Sequence, residues 1–322
     1  MGVQQSALTQ VDFSMEHSGL SSTHETLSKR KDVESQLLAR NRRHSLQALS
    51  TPFLSDPALK SLIDPDIPGN NIQQLLDGTY SSDTLTDQTL SEPEKQWIKS
   101  LQQIVDSEIS LSISIEEYKQ FFRVKQERTA SSPSGRHFGH YKTLLECIRR
   151  GHPLLPRLII DIAYLSLSTA SPLQRWQTAS QVMLEKGKGK YIENLRIIQL
   201  CEADLNFVLH VIWGNRLIRH ACKNNALNPS QFALPGQTCN NAVLNKVLFF
   251  DLSRQTLSPG VLTDFDAKAA FDRVIAGLSV VTCKGVGLPI IAGHFMFHLL
   301  KHMTFHLVTG FGVSTESYNN TN

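Results

Sequence analysis

Cysteine is scarce in this sequence, and the five present (Cys147, Cys201, Cys222, Cys239 and Cys283) are far apart, with no C-x-x-C pair. That spacing excludes a disulfide scaffold and a zinc finger, and it points to reduced thiols inside a cell, nuclear or cytoplasmic. No uninterrupted apolar stretch reaches the roughly 18 residues that a membrane-spanning helix needs. The first residues also lack the basic-then-apolar order of a signal peptide. No internal repeat is visible, and no G-x-x-x-x-G-K-[ST] loop is there to cradle a phosphate. What is present is a chain of 322 residues, 41% hydrophobic and 19% charged. That is about twice the length of an average domain, with apolar residues enough to bury a core, so wholesale disorder is excluded as well.

The net charge of +3 conceals a division. Residues 1–128 hold 13 Lys and Arg against 18 Asp and Glu, whereas residues 129–322 hold 19 against 11. A basic second part attracts polyanions, and nucleic acid is the commonest partner of that kind. A solvated basic face would carry the same surplus.

Residues 1–90 are rich in Ser, Thr and Gln, with basic clusters at Lys29-Arg30-Lys31 and Arg40-x-Arg42-Arg43, followed by Pro52, Pro57, Pro65, Pro68 and Gly69. This composition reads as a weakly ordered region with one or two short helices. From Ser91 the pattern tightens: Ser91-Glu92-Pro93-Glu94 resembles a helix start, and Trp97, Leu101, Ile104 and Val105 follow at helical spacing. Residues 91–322 then form the second unit. A loop at "TASSPSGRHFGH" leads into two helices, "YKTLLECIRR" and "LPRLIIDIAYLSLSTA". "QVMLEK" reads as a strand, "GKGKY" as a basic turn and "LRIIQLC" as a second strand, before a long amphipathic helix over "EADLNFVLHVIWGNRLIRHACKN". "GVLTDFD" reads as a strand running into a helix over "AKAAFDRVIAGL", and "PIIAGHFMFHLLKHM" as a last helix. Strands and helices mixed without a βαβ period predict an α+β fold.

Alternation along "GVLTDFD" places Asp264 and Asp266 on one face. Carboxylates at a strand end suit Mg²⁺, which takes oxygen ligands and shares them with substrate phosphates. An acidic rim on a solvated strand has the same spacing. Three lysines separated by glycines in "LEKGKGKY" fit a phosphate-binding loop or a solvated hairpin equally.

"DAKAAFDRV" resembles the palm motif of reverse transcriptases of LINE-type (non-LTR) retrotransposons, D-A-x-x-A-F-D-[KR]-[VI]. The resemblance makes Asp266 the catalytic, metal-binding aspartate, with Asp264 a second candidate ligand. It makes Phe271 the aromatic residue that screens the sugar 2′ position of the incoming nucleotide; without it, Phe271 reads as a core residue of an amphipathic helix. "ENLRIIQLCEADLNFVLHVIWGNRL" resembles the fingers segment of these enzymes, with Asn194, Arg196, Ile198, Leu200, Asp204, Asn215, Arg216 and Leu217 in register and Ile197 where proline is usual. By that match Arg196 reaches the triphosphate, where a guanidinium grips two oxygens. Arg216 reads as a helix-surface arginine bracing the fold. "LEKGKGKY" resembles the fingers tip, with Lys186 on the triphosphate and Lys188 and Lys190 near template or phosphate. "SQFALPGQTCNNAVL" resembles the segment beside the nucleotide site, through Gln231, Pro235 and Gly236, with Ala233 where glycine is usual. "SSPSGRHFGHYK" looks like a variant of the family's opening P-G-x-D-G loop.

The resemblance covers about residues 125–315 and implies a right-hand polymerase: fingers and part of a palm. It implies two-metal nucleotidyl transfer from dNTPs to a primer 3′-end on an RNA template, with Mg²⁺. No aspartate follows Asp272, so the F/Y-x-D-D hairpin that supplies the remaining carboxylates is missing. The expectation is therefore a truncated, inactive polymerase that leaves a strand edge uncovered. It would be poorly soluble, or would need the remainder of the enzyme as partner. The competing expectation is a non-catalytic nucleic-acid-binding remnant.

Two further patterns stand apart. His294, His298, His302 and His306 recur every four residues, and a helix would stack them in a drifting stripe. No H-E-x-x-H arrangement or nearby carboxylate accompanies them, which argues against a zinc site. Met1-Gly2-Val3-Gln4-Gln5-Ser6 fits the N-myristoylation pattern, which leaves a membrane-anchored adaptor as a third reading.

Overall fold

The computed structural model describes residues 11–15, 23–57, 59–60, 74, 91–101, 107–127, 133–187, 191–228, 231–262 and 274–319. The fold is mixed α/β, helices with a four-stranded mixed sheet. A short antiparallel pair, β1 (Val11–Met15) and β2 (Thr23–Leu27), precedes α1 (Arg30–Ser45). After short helical turns at Gln47–Ser50 and Pro52–Ser55 come the longer helices α2 (Glu92–Leu101), α3 (Ile115–Arg123), α4 (Phe138–Arg149) and α5 (Leu154–Ser168). Then come β3 (Thr178–Glu185), β4 (Leu195–Leu200), α6 (Ala203–Leu209) and α7 (Ile218–Lys223), the last two joined by a π-helical stretch, His210–Leu217. Further on lie α8 (Cys239–Thr256), α9 (Ala276–Gly285), α10 (Ile290–Lys301), β5 (Thr304–Thr309) and β6 (Gly312–Asn319).

Local chemistry sets several of these boundaries. Ser114 and Glu117 form a reciprocal capping box at the start of α3, satisfying donors that the first helical turn leaves open. Tyr118, Phe121 and Phe122 then fall on one face of α3 and are buried. They meet Phe138, Tyr141 and Phe207 in an aromatic knot, in which Phe122 stacks on Tyr141 at 5.2 Å and Tyr118 meets Phe207 edge-on at 5.5 Å. Such offset and edge contacts add to burial about 0.5–1.5 kcal/mol per pair.

The sheet order is β4-β3-β5-β6, with β3 antiparallel to β4, parallel to β5, and β5 antiparallel to β6. Period-2 alternation turns Ala179, Gln181 and Met183 of β3, with Phe305 and Leu307 of β5, toward α1 and the main core. Within the stretch expected to be weakly ordered with one or two short helices, α1 is a 16-residue helix, and its Val33, Leu37 and Leu38 belong to that same core. Its Asn41 amide donates to Gln181 Oε1 at 3.0 Å, the Tyr318 hydroxyl donates to the same oxygen at 2.8 Å, and Arg40 Nη2 donates to the Leu195 carbonyl at 2.6 Å. A smaller second core gathers Ala48, Leu54, Ile98, Ile275, Val280 and Val281, flanked by Phe53 and Trp97 with rings 5.1 Å apart.

Some expectations need correcting. The loop before α4 ends at His137, because the His137 ring caps the helix by accepting from the Gly139 amide at 3.1 Å, so "FGH" is already helical. The helix expected over "AKAAFDRVIAGL" covers neither Val274 nor Ile275. Ile275 is extended, and its carbonyl accepts from Ser279 at the start of α9. Residues 260–262 of the expected strand are not in a strand; the rest of it lies outside the described residues. The β5–β6 hairpin and α8 had no counterpart in the sequence reading. His306 lies on β5 and not on the helix, so the histidine stripe ends at His302, which caps α10. No helix among the described residues is long and apolar enough to cross a membrane.

Candidate functional site

The two strands read from the sequence pair antiparallel as β3 and β4, with Glu185 facing Leu195 and Leu184 facing Arg196. Gly187, just past β3, has φ +75°, a left-handed conformation that glycine adopts without the Cβ penalty. Lys186 and Arg196 are both exposed at this turn end. Lys188 and Lys190 lie outside the described residues, as do Asp264, Asp266 and Phe271. Gln231 is exposed and turned inward on its own loop, its side-chain oxygen accepting from the Ala233 amide at 3.1 Å. The structure therefore brings Lys186 and Arg196 to one place and engages Gln231 in a local turn.

Directly after β4 the chain enters a buried ionic cluster. Glu202 is fully buried and Asp204 is 2% exposed. Arg175 grips both Asp204 oxygens, Nη1 to Oδ1 at 2.7 Å and Nη2 to Oδ2, and its Nη1 also lies 3.5 Å from Glu202 Oε2. Trp176 Nε1 donates to Asp204 Oδ1 at 3.0 Å. Ser134, in the loop before α4, donates to Glu202 through its amide at 3.1 Å and its hydroxyl at 2.9 Å. Buried carboxylates are tolerated only with such partners. The cluster ties the loop at 133–137, the approach to β3 and the start of α6 to one point, and so fixes the base of the hairpin. Sequence reading placed Asp204 on the fingers pattern but missed Arg175, Trp176, Glu202 and Ser134, whose types carry no spacing signal.

Arg216 braces the fold, as its position on a helix surface suggested. Nε and Nη2 donate to Glu117 at 3.0 and 2.6 Å, and Nη1 donates to the Ser110 carbonyl at 2.6 Å. Burial pushes the Glu117 carboxyl up, and the hydrogen bonds from Arg216 and Ser114 outweigh it, holding the group below the ordinary glutamate range. A carboxyl depressed in the folded state contributes stability above its unfolded pKa and loses it as pH falls through the folded one. Arg216→Met is therefore expected to cost about 1–2 kcal/mol at pH 7. It should also flatten the fall in urea midpoint between about pH 5 and pH 3. An equal cost at both ends of that range would show that the pair does not set the titration.

The chain matches no protein-family model and no curated protein.

Among the described residues no group of His, Cys, Asp and Glu is placed to hold a metal ion. His298 Nδ1 lies 3.0 Å from the Ala170 carbonyl, just past α5, and His302 Nδ1 lies 2.9 Å from the His298 carbonyl, so each ring meets a backbone carbonyl. Burial, with Glu202 beside it, pushes the Cys201 thiol up to about 11, which leaves it protonated and a poor nucleophile. The myristoylation pattern at residues 1–6 lies outside the described residues.

Proposed function

We propose that this chain carries the fingers and part of the palm of a LINE-type reverse transcriptase, and that its β3–β4 hairpin contacts the phosphates of nucleic acid and of a dNTP. The observation that carries the reading is the hairpin. A strand, a glycine turn led by Lys186, a strand bearing Arg196 and a helical rod from Ala203 to Lys223 follow in the order that the resemblance calls for. The arginine and lysine are exposed at the turn end, where a phosphate can reach them. The basic surplus of residues 129–322 supports a polyanionic partner, an RNA template with a DNA primer. Mg²⁺ held by Asp266, with Asp264, rests on the sequence pattern alone.

The polymerising half of the reading needs further carboxylates beside Asp266; phosphate binding by the hairpin does not. Fluorescence anisotropy with an RNA–DNA primer–template tests the binding half. Lys186→Ala and Arg196→Ala are each expected to weaken binding at low salt and to lower the slope of log K against log salt by about one. Unchanged affinity in the double variant would refute the hairpin as the contact. Grafting on a family hairpin bearing F/Y-x-D-D tests the chemistry. Mg²⁺-dependent dNTP incorporation, lost in Asp266→Asn, is the expected result. A folded graft that binds primer–template but never incorporates would leave only the binding module.

A further inference from the structure

Lys125, two residues past the end of α3, is a half-buried cation whose ammonium meets no carboxylate among the described residues. It rests instead on aromatic faces, 4.4 Å from the centre of the Phe121 ring and 5.9 Å from that of Phe138. A ring face attracts the charge but leaves the three N–H donors without an oxygen acceptor. The His210 ring packs against the same Phe121, with centroids 5.0 Å apart. His210 opens the π-helical stretch, whose wider turn sets its Nε2 3.1 Å from Asn215 Nδ2, five residues on. Such turns are rare and recur at functional sites. Burial, and then the charge of Lys125, hold the imidazole below the ordinary histidine range. A second ammonium is close by: Lys142 of α4 donates through Nζ to the Lys125 carbonyl at 3.2 Å. Its carboxylate partner, Glu127, is 3.9 Å away with a side chain 70% exposed, a pairing worth little.

We propose that Lys125, Lys142 and His210 form a phosphate site, which holds one backbone phosphate of a bound nucleic acid. The proposal rests on the nucleic-acid reading above and adds a contact on α3, α4 and the π-helical stretch, elements other than the hairpin. A phosphate seated there gives Lys125 the hydrogen-bonding counter-ion that the described residues do not supply. It also favours the imidazolium form of His210, because an anion offsets the Lys125 charge that disfavours it. Lys125 is the charged group that bears on His210, and Asn215 beside Nε2 is neutral. His210 therefore takes up a proton as the phosphate binds, and binding tightens as pH falls.

Two probes test this on the full chain. The first is inorganic phosphate, compared with chloride at equal ionic strength, with the His210 ring proton followed by NMR and assigned by its loss in His210→Gln. Phosphate is expected to raise the midpoint of the His210 titration in the wild type. It should leave that midpoint unmoved in Lys125→Met, which keeps an apolar stem on Phe121 and removes the charge. The second probe is the RNA–DNA primer–template. Lys125→Met is expected to weaken its binding about three- to tenfold at low salt and to lower the slope of log K against log salt by about one. His210→Gln should shrink the gain in affinity between about pH 8 and pH 6. Both losses should add to those of Lys186→Ala and Arg196→Ala, since the two contacts are independent. A His210 midpoint that phosphate leaves unchanged overturns the site. A midpoint that moves while Lys125→Met binds primer–template like the wild type overturns the nucleic-acid backbone as its ligand. A wild type that binds no primer–template refutes the parent reading, and a phosphate response that persists then makes the ligand a free phosphate and not a backbone one.

Discussion

Replacing Asp204 with alanine is expected to lower the free energy of unfolding by about 3–5 kcal/mol, among the largest effects in this chain. The carboxylate is 2% exposed and holds Arg175 through two bonds, the Trp176 indole and the Leu205 amide. Its removal leaves the guanidinium with the longer Glu202 contact of 3.5 Å and the face of the Trp176 ring, and strands a buried indole N–H. Losing the other partner is harsher. Arg175 keeps 27% exposure and water can reach it when Asp204 is gone, whereas Arg175→Ala leaves the buried Glu202 and Asp204 without a cation and is expected to cost at least as much as Asp204→Ala. Replacing both, Arg175→Met with Asp204→Leu, should recover only part of the loss, because Glu202 loses its cation and the Trp176 indole stays unpaired. Urea unfolding followed by tryptophan fluorescence reads all three variants. A cost below about 1 kcal/mol for Asp204→Ala would mean that the cluster is no keystone of the hairpin base.

Deleting residues 1–45 is expected to abolish cooperative unfolding. The deletion removes Val33, Leu37 and Leu38, all essentially buried, each worth about 1.5–3 kcal/mol. It also takes away Asn41, which bonds Gln181 inside the core, and uncovers Tyr318 and the inner face of the sheet. Together these losses approach the whole stability of an ordinary domain, about 5–15 kcal/mol. The point variant Leu37→Ala is the milder form and should cost about 2–5 kcal/mol. Thermal unfolding by circular dichroism distinguishes the cases. A chain starting at Leu46 that melts cooperatively, within about 2 kcal/mol of the full chain, would make α1 an accessory rather than a wall of the core.

The elements whose pattern is local were legible in the sequence. The β3–β4 hairpin follows from two β-rich runs around a glycine-broken basic turn, and α5 and α10 from sustained apolar runs of helical length. α1 was hidden because its apolar residues, at 33, 37 and 38, are few and sit among charges; the sheet that buries them comes far later in the chain. β5 carries a clean alternation, with Phe305, Leu307 and Thr309 inward, but it follows so closely on α10 that the helical period masked it. α8 buries none of its residues, so no inward face marks it out. At the candidate site, Lys186 and Arg196 declared themselves by position in a motif. Arg175, Glu202 and Ser134 did not, because a buried ionic cluster is defined by residues that only the fold brings together.

The partnership of β3 with β5 has a consequence for how the molecule is made. β3 emerges from the ribosome long before β5, and the bond from Arg30 to the Val313 carbonyl spans 283 residues. Until the last hairpin has been synthesised, α1 has only half a sheet to rest on, and β3 carries one unpaired edge. Closing a loop of that length adds little to the final free energy, yet it must happen before any of the distant contacts repay it. The nascent chain therefore waits for that hairpin with its sheet open. In that interval chaperones, or an unwanted strand from a neighbour, compete for it.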